Sequence, residues 1–395
     1  LYEAMGLVSE ALAGDGCLVA ARALASLQAS IEREDRRPRE LLAQLSNSSN
    51  IPLALKGERR LHIAPDGVPW KADFDEARAL ARKAQLSAAA AKMSELAERF
   101  PDVPAIWHTL SILCETAADI PGCVEALHKL AALSVPLEDA VEAEARALFL
   151  CEDPLGDRLD VFHLEYPIKD VEHGETMLSS MPRAAPVPVD PASLATDGQP
   201  PPKGVWHLFD RAAPESGSEL TLETVPRTLC QVRLFGRQTD REARLEVFGQ
   251  LARDRSPVDA LLGEIAGDGL GSPVKEEVAA HISATQELLG RPWRLPNGTT
   301  RELFGQLCAQ HEEDALLSRW PQLPLPYLDG KSPQEAAGQE ANRVKLLAAV
   351  LLLEFWWDRA GWRFDANRLR SRLGLPALEP IDPEQAPLAE LPPVR

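Results

Sequence analysis

The sequence predicts a mainly α protein with an α+β middle. Three observations lead there. Apolar residues recur at helical spacing between Asp73 and Leu150, and again from Pro273 onward. Between these regions, short runs such as Leu159–Tyr166 (LDVFHLEY) and Cys230–Leu234 alternate apolar with polar side chains, the period of a strand. Turn-forming and proline-rich stretches, Asp153–Asp157 (DPLGD) and residues 182–203, separate the two patterns. The expected organisation is helical hairpins over 1–152 and an α+β domain over 153–268 with a proline-rich linker at 182–203. A C-terminal helical region with an extended acidic tail follows over 269–395.

Taken in order, Leu1–Glu34 reads as a helical hairpin turning at Gly14-Asp15-Gly16, and Pro38–Gln44 as a short helix. Ser46–Asn50 is a polar loop and Pro65-Asp66-Gly67 a turn. In Asp73–Leu150 the positions Ala89, Met93, Leu96 and Pro101 return 34 residues later as Cys123, Leu127, Leu130 and Val135. A further hairpin starts at Pro136-Leu137-Glu138-Asp139. In the middle region Leu159–Tyr166 and Val205–Asp210 (VWHLFD) read as strands and Val171–Ser180 as a helix. Cys230–Leu234 and Ala243–Val247 form a hairpin around Gly236–Asp240, and Ser256-Pro257 opens a helix. The middle is thus expected to hold about four strands, with helices covering one face. Glu276–Leu289, Thr300–Ser318 and Asp365–Leu373 are expected as helices.

Between them, Ser332-Pro333-Gln334-Glu335 has the pattern of a capping box, with Pro333 at the first helical position. The helix behind it carries the densest apolar surface of the chain (Leu346, Leu347, Val350, Leu351, Leu352, Leu353, Phe355) and should be buried on several sides, as the hub of the C-terminal half.

At 395 residues, 45% hydrophobic and 26% charged, the composition is that of a soluble globular protein of two or three domains. A net charge of −18 argues against nucleic acid as the main partner, because phosphate binding needs a basic footprint. None of the six cysteines forms a C-x-x-C pair, which points to reduced thiols and a cytoplasmic location. The apolar run Leu346–Trp357 is too short for a bilayer and contains Glu354, so no membrane is expected. The chain opens on Leu1 with a helix already under way, as though it starts inside a longer protein.

Trp107-x2-Leu110-Ser111-x2-Cys114, followed by Cys123, Leu127, Leu130 and Val135-Pro136, resembles the tetratricopeptide motif. Ser111 stands where that motif has glycine and Cys114 where it has tyrosine. The segments IPLALKG, PWKADFDEA, PDVPAIW, VPLEDAVEAEA, LFGRQTDREARLEV, WPQLPLPYLDGKSPQEAA and LGLPALEPIDPE resemble a family of large bacterial tetratricopeptide proteins that carry an N-terminal zinc motif of the SEC-C type. That motif is absent from this sequence, so no metal residue carries over. Zinc would belong only to a motif preceding Leu1, and this chain is expected to hold no cofactor. LDGKSPQEAA is also similar to the toxin-binding module of Xre/MbcA/ParS-type antitoxins.

Candidate sites divide among three functions. The first is a non-enzymatic adaptor whose helical-repeat groove takes a protein or peptide, with Arg78, Arg82, Ile106, His108, Ser111 and Glu115 as contacts. The second is a ligand-binding or enzymatic α+β domain in which His163, Glu165, His207 and Arg233 converge. The third is an antitoxin-like partner of a toxin. The first is preferred, and a binding protein over an enzyme, because no nucleophile stands beside a base at a recognisable spacing. Gly330-Lys331-Ser332 imitates the end of a phosphate loop, but Leu325 occupies the position of the required first glycine. His311-Glu312-Glu313-Asp314 crowds acids beside a histidine without the H-E-x-x-H spacing of a metal site, and reads as a solvated helix face. Oligomeric state does not follow from the sequence.

Overall fold

The structure is a computed structural model. It describes residues 61–379 apart from positions 84, 118, 190–193, 195–200, 215–219, 239–240 and 360. The expected hairpin at Leu1–Glu34, the helix at Pro38–Gln44 and the tail beyond 379 lie outside the described residues. The described part is about half helical, with an antiparallel sheet in the middle and helices at both ends. It divides into two compact units: Leu1–Leu155 with Tyr327–Arg359 and Arg370–Arg395, and Gly156–Pro326 with Ala360–Leu369.

The first unit opens its described part with helices α1 (Lys71–Arg82), α2 (Leu86–Arg99), α3 (Pro104–Thr116), α4 (Ile120–Ala131) and α5 (Leu137–Leu150). Local chemistry sets their starts. Pro104 begins α3 at a position where no N–H is needed. Asp119 caps α4 by accepting from the Gly122 N–H at 3.0 Å. Glu138 and Asp139 sit in the first turn of α5, where the helix dipole favours negative charge. Each helix packs on the next, and Phe74, Ala77, Met93, Leu96, Ile106, Leu113 and Leu127 fill the core between them.

Tyr327–Arg359 belongs to the same unit. Asp329 and Gly330 take left-handed φ values of 60° and 77°, which Asp and Gly tolerate best. The capping box is present: Glu335 N–H donates to Ser332 Oγ at 3.3 Å and Ser332 N–H to Glu335 Oε2 at 2.8 Å. It opens only one turn, α10 (Pro333–Ala336), rather than the long apolar helix expected behind it. Gly338 and a 3-10 turn at Glu340–Asn342 intervene before α11 (Arg343–Arg359). Helix α11 buries Leu346, Val350, Leu352 and Leu353, whereas Phe355 is 41% exposed and meets Phe149 edge-on at 4.7 Å. Its main neighbour is α5, so its apolar face serves the N-terminal helices and not a C-terminal bundle.

The second unit is built on a six-stranded antiparallel sheet in the order β2-β3-β4-β5-β1-β6. Its strands are β1 (Arg158–Pro167), β2 (Ala184–Pro186), β3 (Gly204–Phe209), β4 (Thr228–Phe235), β5 (Arg244–Leu251) and β6 (Lys275–Ser283). Helices α6 (Val171–Ser180) and α7 (Arg255–Ala266) cover one face. Leu178, Val258, Leu261, Leu262 and Ile265 pack there on Leu164, Val232, Leu234, Leu245 and Val247. Helix α7 starts at Arg255, one residue ahead of the expected Ser256 cap, with no side-chain cap bond.

Two strands exceed the four expected. Strand β2 lies inside the proline-rich linker. Strand β6 replaces the first part of the expected helix Glu276–Leu289, of which only α8 (Ala284–Leu289) is helical. The sheet therefore extends beyond residue 268. Helix α9 (Arg301–Glu313) begins at Thr300, whose hydroxyl accepts from Leu303 N–H at 3.2 Å. It then widens into a π-helical stretch over Asp314–Arg319, where a regular helix was expected. The last described helix is α12 (Ala366–Arg372). Among the described residues no helix is long and apolar enough to cross a membrane.

Candidate functional site

Of the expected groove contacts on the hairpins, three are packing residues. Ile106 and Ser111 are fully buried, and the Ser111 hydroxyl donates to the His108 carbonyl at 2.8 Å. Glu115 is buried as well and accepts from Arg146 Nη2 at 3.0 Å. Placing them on an exposed groove is corrected by their burial: consecutive helices close over that face of α3. Arg78 is half-buried and pairs with Asp75 at 3.3 Å, His108 is half-buried, and Arg82 is exposed.

The residues expected to converge in the α+β region do share one face. Cross-strand pairing sets His207 opposite Gln231, Gln231 opposite Phe248, Phe248 opposite His163, and His163 opposite Glu277. Arg233 and Glu165 lie two residues along on the same side. This is the face away from α6 and α7. The register depends on Gly249, whose φ of 79° makes it the extra residue of a bulge in β5 and puts Phe248 against β1.

His163 stacks on Phe248 at 4.1 Å and Arg233 lies over the same ring at 4.3 Å, so the ring joins the two. His207 stands three strand spacings from His163, roughly 14 Å away, and does not join them. Arg241 pairs with Glu165 at 2.8 Å and Arg244 with Glu246 at 2.6 Å, and His163 Nδ1 lies 2.9 Å from Glu277 Oε1. Shared placement is therefore borne by the register, but the four side chains do not meet at one point.

A different place in the same unit has the geometry of a binding site. A cavity of about 430 Å³ opens at one end of the sheet. Asp210 and Arg211 reach it from the end of β3, Arg227 from just before β4, and Arg253 from the turn after β5. Glu287 and Leu288 come from α8, and Gly290, Pro292 and Trp293 from the loop after it. His311 comes from the last turn of α9, and Asp314 and Arg319 from the two ends of the π-helical stretch. Leu222 and Val225 add an apolar wall that continues into a small core with Leu307.

Three of these arginines are fixed by acids. Arg211 Nη2 meets Asp210 Oδ2 at 3.0 Å and also reaches the Glu223 carbonyl. Arg227 Nη2 donates to Asp254 Oδ1 at 2.9 Å, while its backbone N–H donates to Asp210 at 2.8 Å. Arg253 is held by Glu287. Arg319 is exposed and makes no ion pair among the described residues. His311 is 8% exposed, with ring edges against Trp293 at 5.2 Å and Trp362 at 5.6 Å. Burial lowers its pKa, and the positive charges of Arg291 and Arg319 lower it further, so the imidazole is neutral near neutral pH. Its Nε2 is buried without a hydrogen-bond partner.

This cluster was not legible in the sequence. Its arginines are scattered singly between residues 211 and 319, and His311 with Asp314 read as a solvated face. The available signal was the i, i+3 pairing of His311 and Asp314, which puts both on one side of a helix. Among the described residues, no group of three or more His, Cys, Asp or Glu side chains is placed to hold a metal. Comparison with protein families, curated proteins and solved structures finds no match to this chain.

Proposed function

We propose that the α+β unit is a binding module for a small anionic ligand held in this cavity. Arg319 carries the proposal: it lines the cavity together with Asp314 and makes no ion pair among the described residues. Guanidinium groups present planar donor forks matched to carboxylate and phosphate oxygens. Asp210, Asp254 and Glu287 hold the other three arginines in position before any ligand arrives, which lowers the ordering cost of binding. The volume falls in the range of small-molecule sites, and Leu222, Val225, Leu288 and Trp293 give an otherwise charged lining an apolar side. The test is a thermal-melting panel with inorganic phosphate, pyrophosphate and citrate at constant ionic strength. At least one anion should raise the melting temperature of the native chain, and Arg319→Gln should weaken that effect by about tenfold in apparent affinity. No shift with any of the three anions would count against the module.

A second reading concerns the helical unit and is favoured by one observation. Ala89, Met93 and Leu96 on α2 and Cys123, Leu127 and Leu130 on α4, related by the 34-residue register, are all buried, as are the small residues Ala77 and Ser111 on α1 and α3. On this reading the hairpins are tetratricopeptide-like, kin to the bacterial proteins with a SEC-C motif, and bind a protein partner through Arg78 and Arg82 on α1. A pull-down comparing the native chain with the Arg78→Glu, Arg82→Glu double variant tests it. Loss of a reproducible partner is expected, and retention of every partner contradicts the assignment.

A further inference from the structure

The backbone holds the cavity's charge and its apolar side next to each other. Thr228 N–H donates to the Pro292 carbonyl at 2.7 Å and Arg294 N–H to the Pro226 carbonyl at 2.9 Å. These two bonds flank an antiparallel bridge between Arg227 and Trp293. Residues that face each other between such bonds have the closest side chains of an antiparallel pair, with Cα atoms about 4.5 Å apart. Arg227 and Trp293 therefore leave the backbone side by side, and both line the cavity. A second junction repeats the arrangement. Val225 N–H donates to the Thr221 carbonyl at 2.9 Å and closes a turn that carries Leu222, while the Arg211 guanidinium donates to the Glu223 carbonyl in the same turn. Leu222 and Trp293 rest on one small core of Leu220, Val225 and Leu307, and each keeps part of its surface exposed.

A bare oxyanion fills only a small part of a cavity of about 430 Å³. Bound alone, it leaves water against Leu222 and Trp293, and apolar surface in contact with water is what a matching ligand group would remove. Resting on the anion-binding reading, we propose that the ligand is an organic phosphate or carboxylate with a compact apolar group directly beside its charge. The apolar group lies against Leu222 and Trp293, and Arg319 with the acid-held Arg211 and Arg227 takes the charge. The pairing of Arg227 with Trp293 sets the spacing: a ligand with a long polar spacer between the two groups does not match it.

The experiment is isothermal titration of phenyl phosphate, methyl phosphate and inorganic phosphate into the native chain and into Leu222→Asn, at fixed salt and at a pH where both esters are dianions. The native chain should bind phenyl phosphate about tenfold more tightly than methyl phosphate. Its heat-capacity change on binding should also be more negative for phenyl phosphate, the mark of apolar burial. In Leu222→Asn the ratio of the two affinities should fall severalfold. Equal affinity for the two esters in the native chain, or a preference that Leu222→Asn leaves unchanged, overturns the proposal and leaves the anion site standing. Failure of all three ligands to bind the native chain overturns both. Should Leu222→Asn misfold, the heat capacity decides on the native chain alone: equal values for the two esters overturn the proposal.

Discussion

His128 Nδ1 meets Glu144 Oε2 at 2.8 Å, and the Tyr327 hydroxyl donates to Glu144 Oε1 at 2.7 Å. One buried carboxylate thus ties α4, α5 and the segment before α10 together. The Glu144 bond raises the His128 pKa above its ordinary 6.5, against burial and the charge of Lys345. Because the folded value lies above the unfolded one, the protonated pair stabilises fully below 6.5, and the contribution is lost as pH rises through the folded value. The stability difference between the native chain and His128→Asn, from urea unfolding, should therefore be larger at pH 5.5 than at pH 8.5. A difference that grows with pH contradicts the assigned sign. His311 shows why residue type alone was a poor guide. Its neighbours Glu312 and Glu313 suggested a wet surface, yet Trp293 and Trp362, distant in sequence, enclose its ring.

At the scale of elements, the sequence carried what local chemistry decides and missed what pairing decides. Val171–Ser180 came out as the helix expected, with Asp170 accepting from His173 N–H at 2.9 Å. Strands β1, β3, β4 and β5 followed from alternation, because one of their faces is packed under helices. Strand β6 did not. Lys275–His281 is exposed on both sides, so burial imposes no alternation, and Glu, Ala and Lys weigh locally toward helix. Its pairing with β1 settles the matter. Register is equally non-local. Gly249, with φ 79° and open space around its Cβ position, sets the bulge that aligns Phe248 with His163. Gly249→Ala meets no steric neighbour, so its cost should be that of left-handed backbone alone, about 1–2 kcal/mol. Chemical denaturation measures it; an unchanged midpoint would contradict the bulge.

Across the whole molecule, the sequence pointed mainly to the helical hairpins for binding. The helical unit buries three of the six residues expected to touch a partner, while the α+β unit opens a cavity at the end of its sheet. The arginines of that cavity are spread over more than a hundred residues of chain, and only the folded sheet gathers them. Periodicity finds cores, so it located the sheet; it gives no information about which strand ends meet. Isothermal titration of pyrophosphate into the native chain and into Arg319→Gln, side by side and at fixed salt, tests the anion-binding assignment most directly. Saturable binding to the native chain and about tenfold weaker binding to the variant are expected. Equal affinity in the two proteins, or no binding to either, would contradict it.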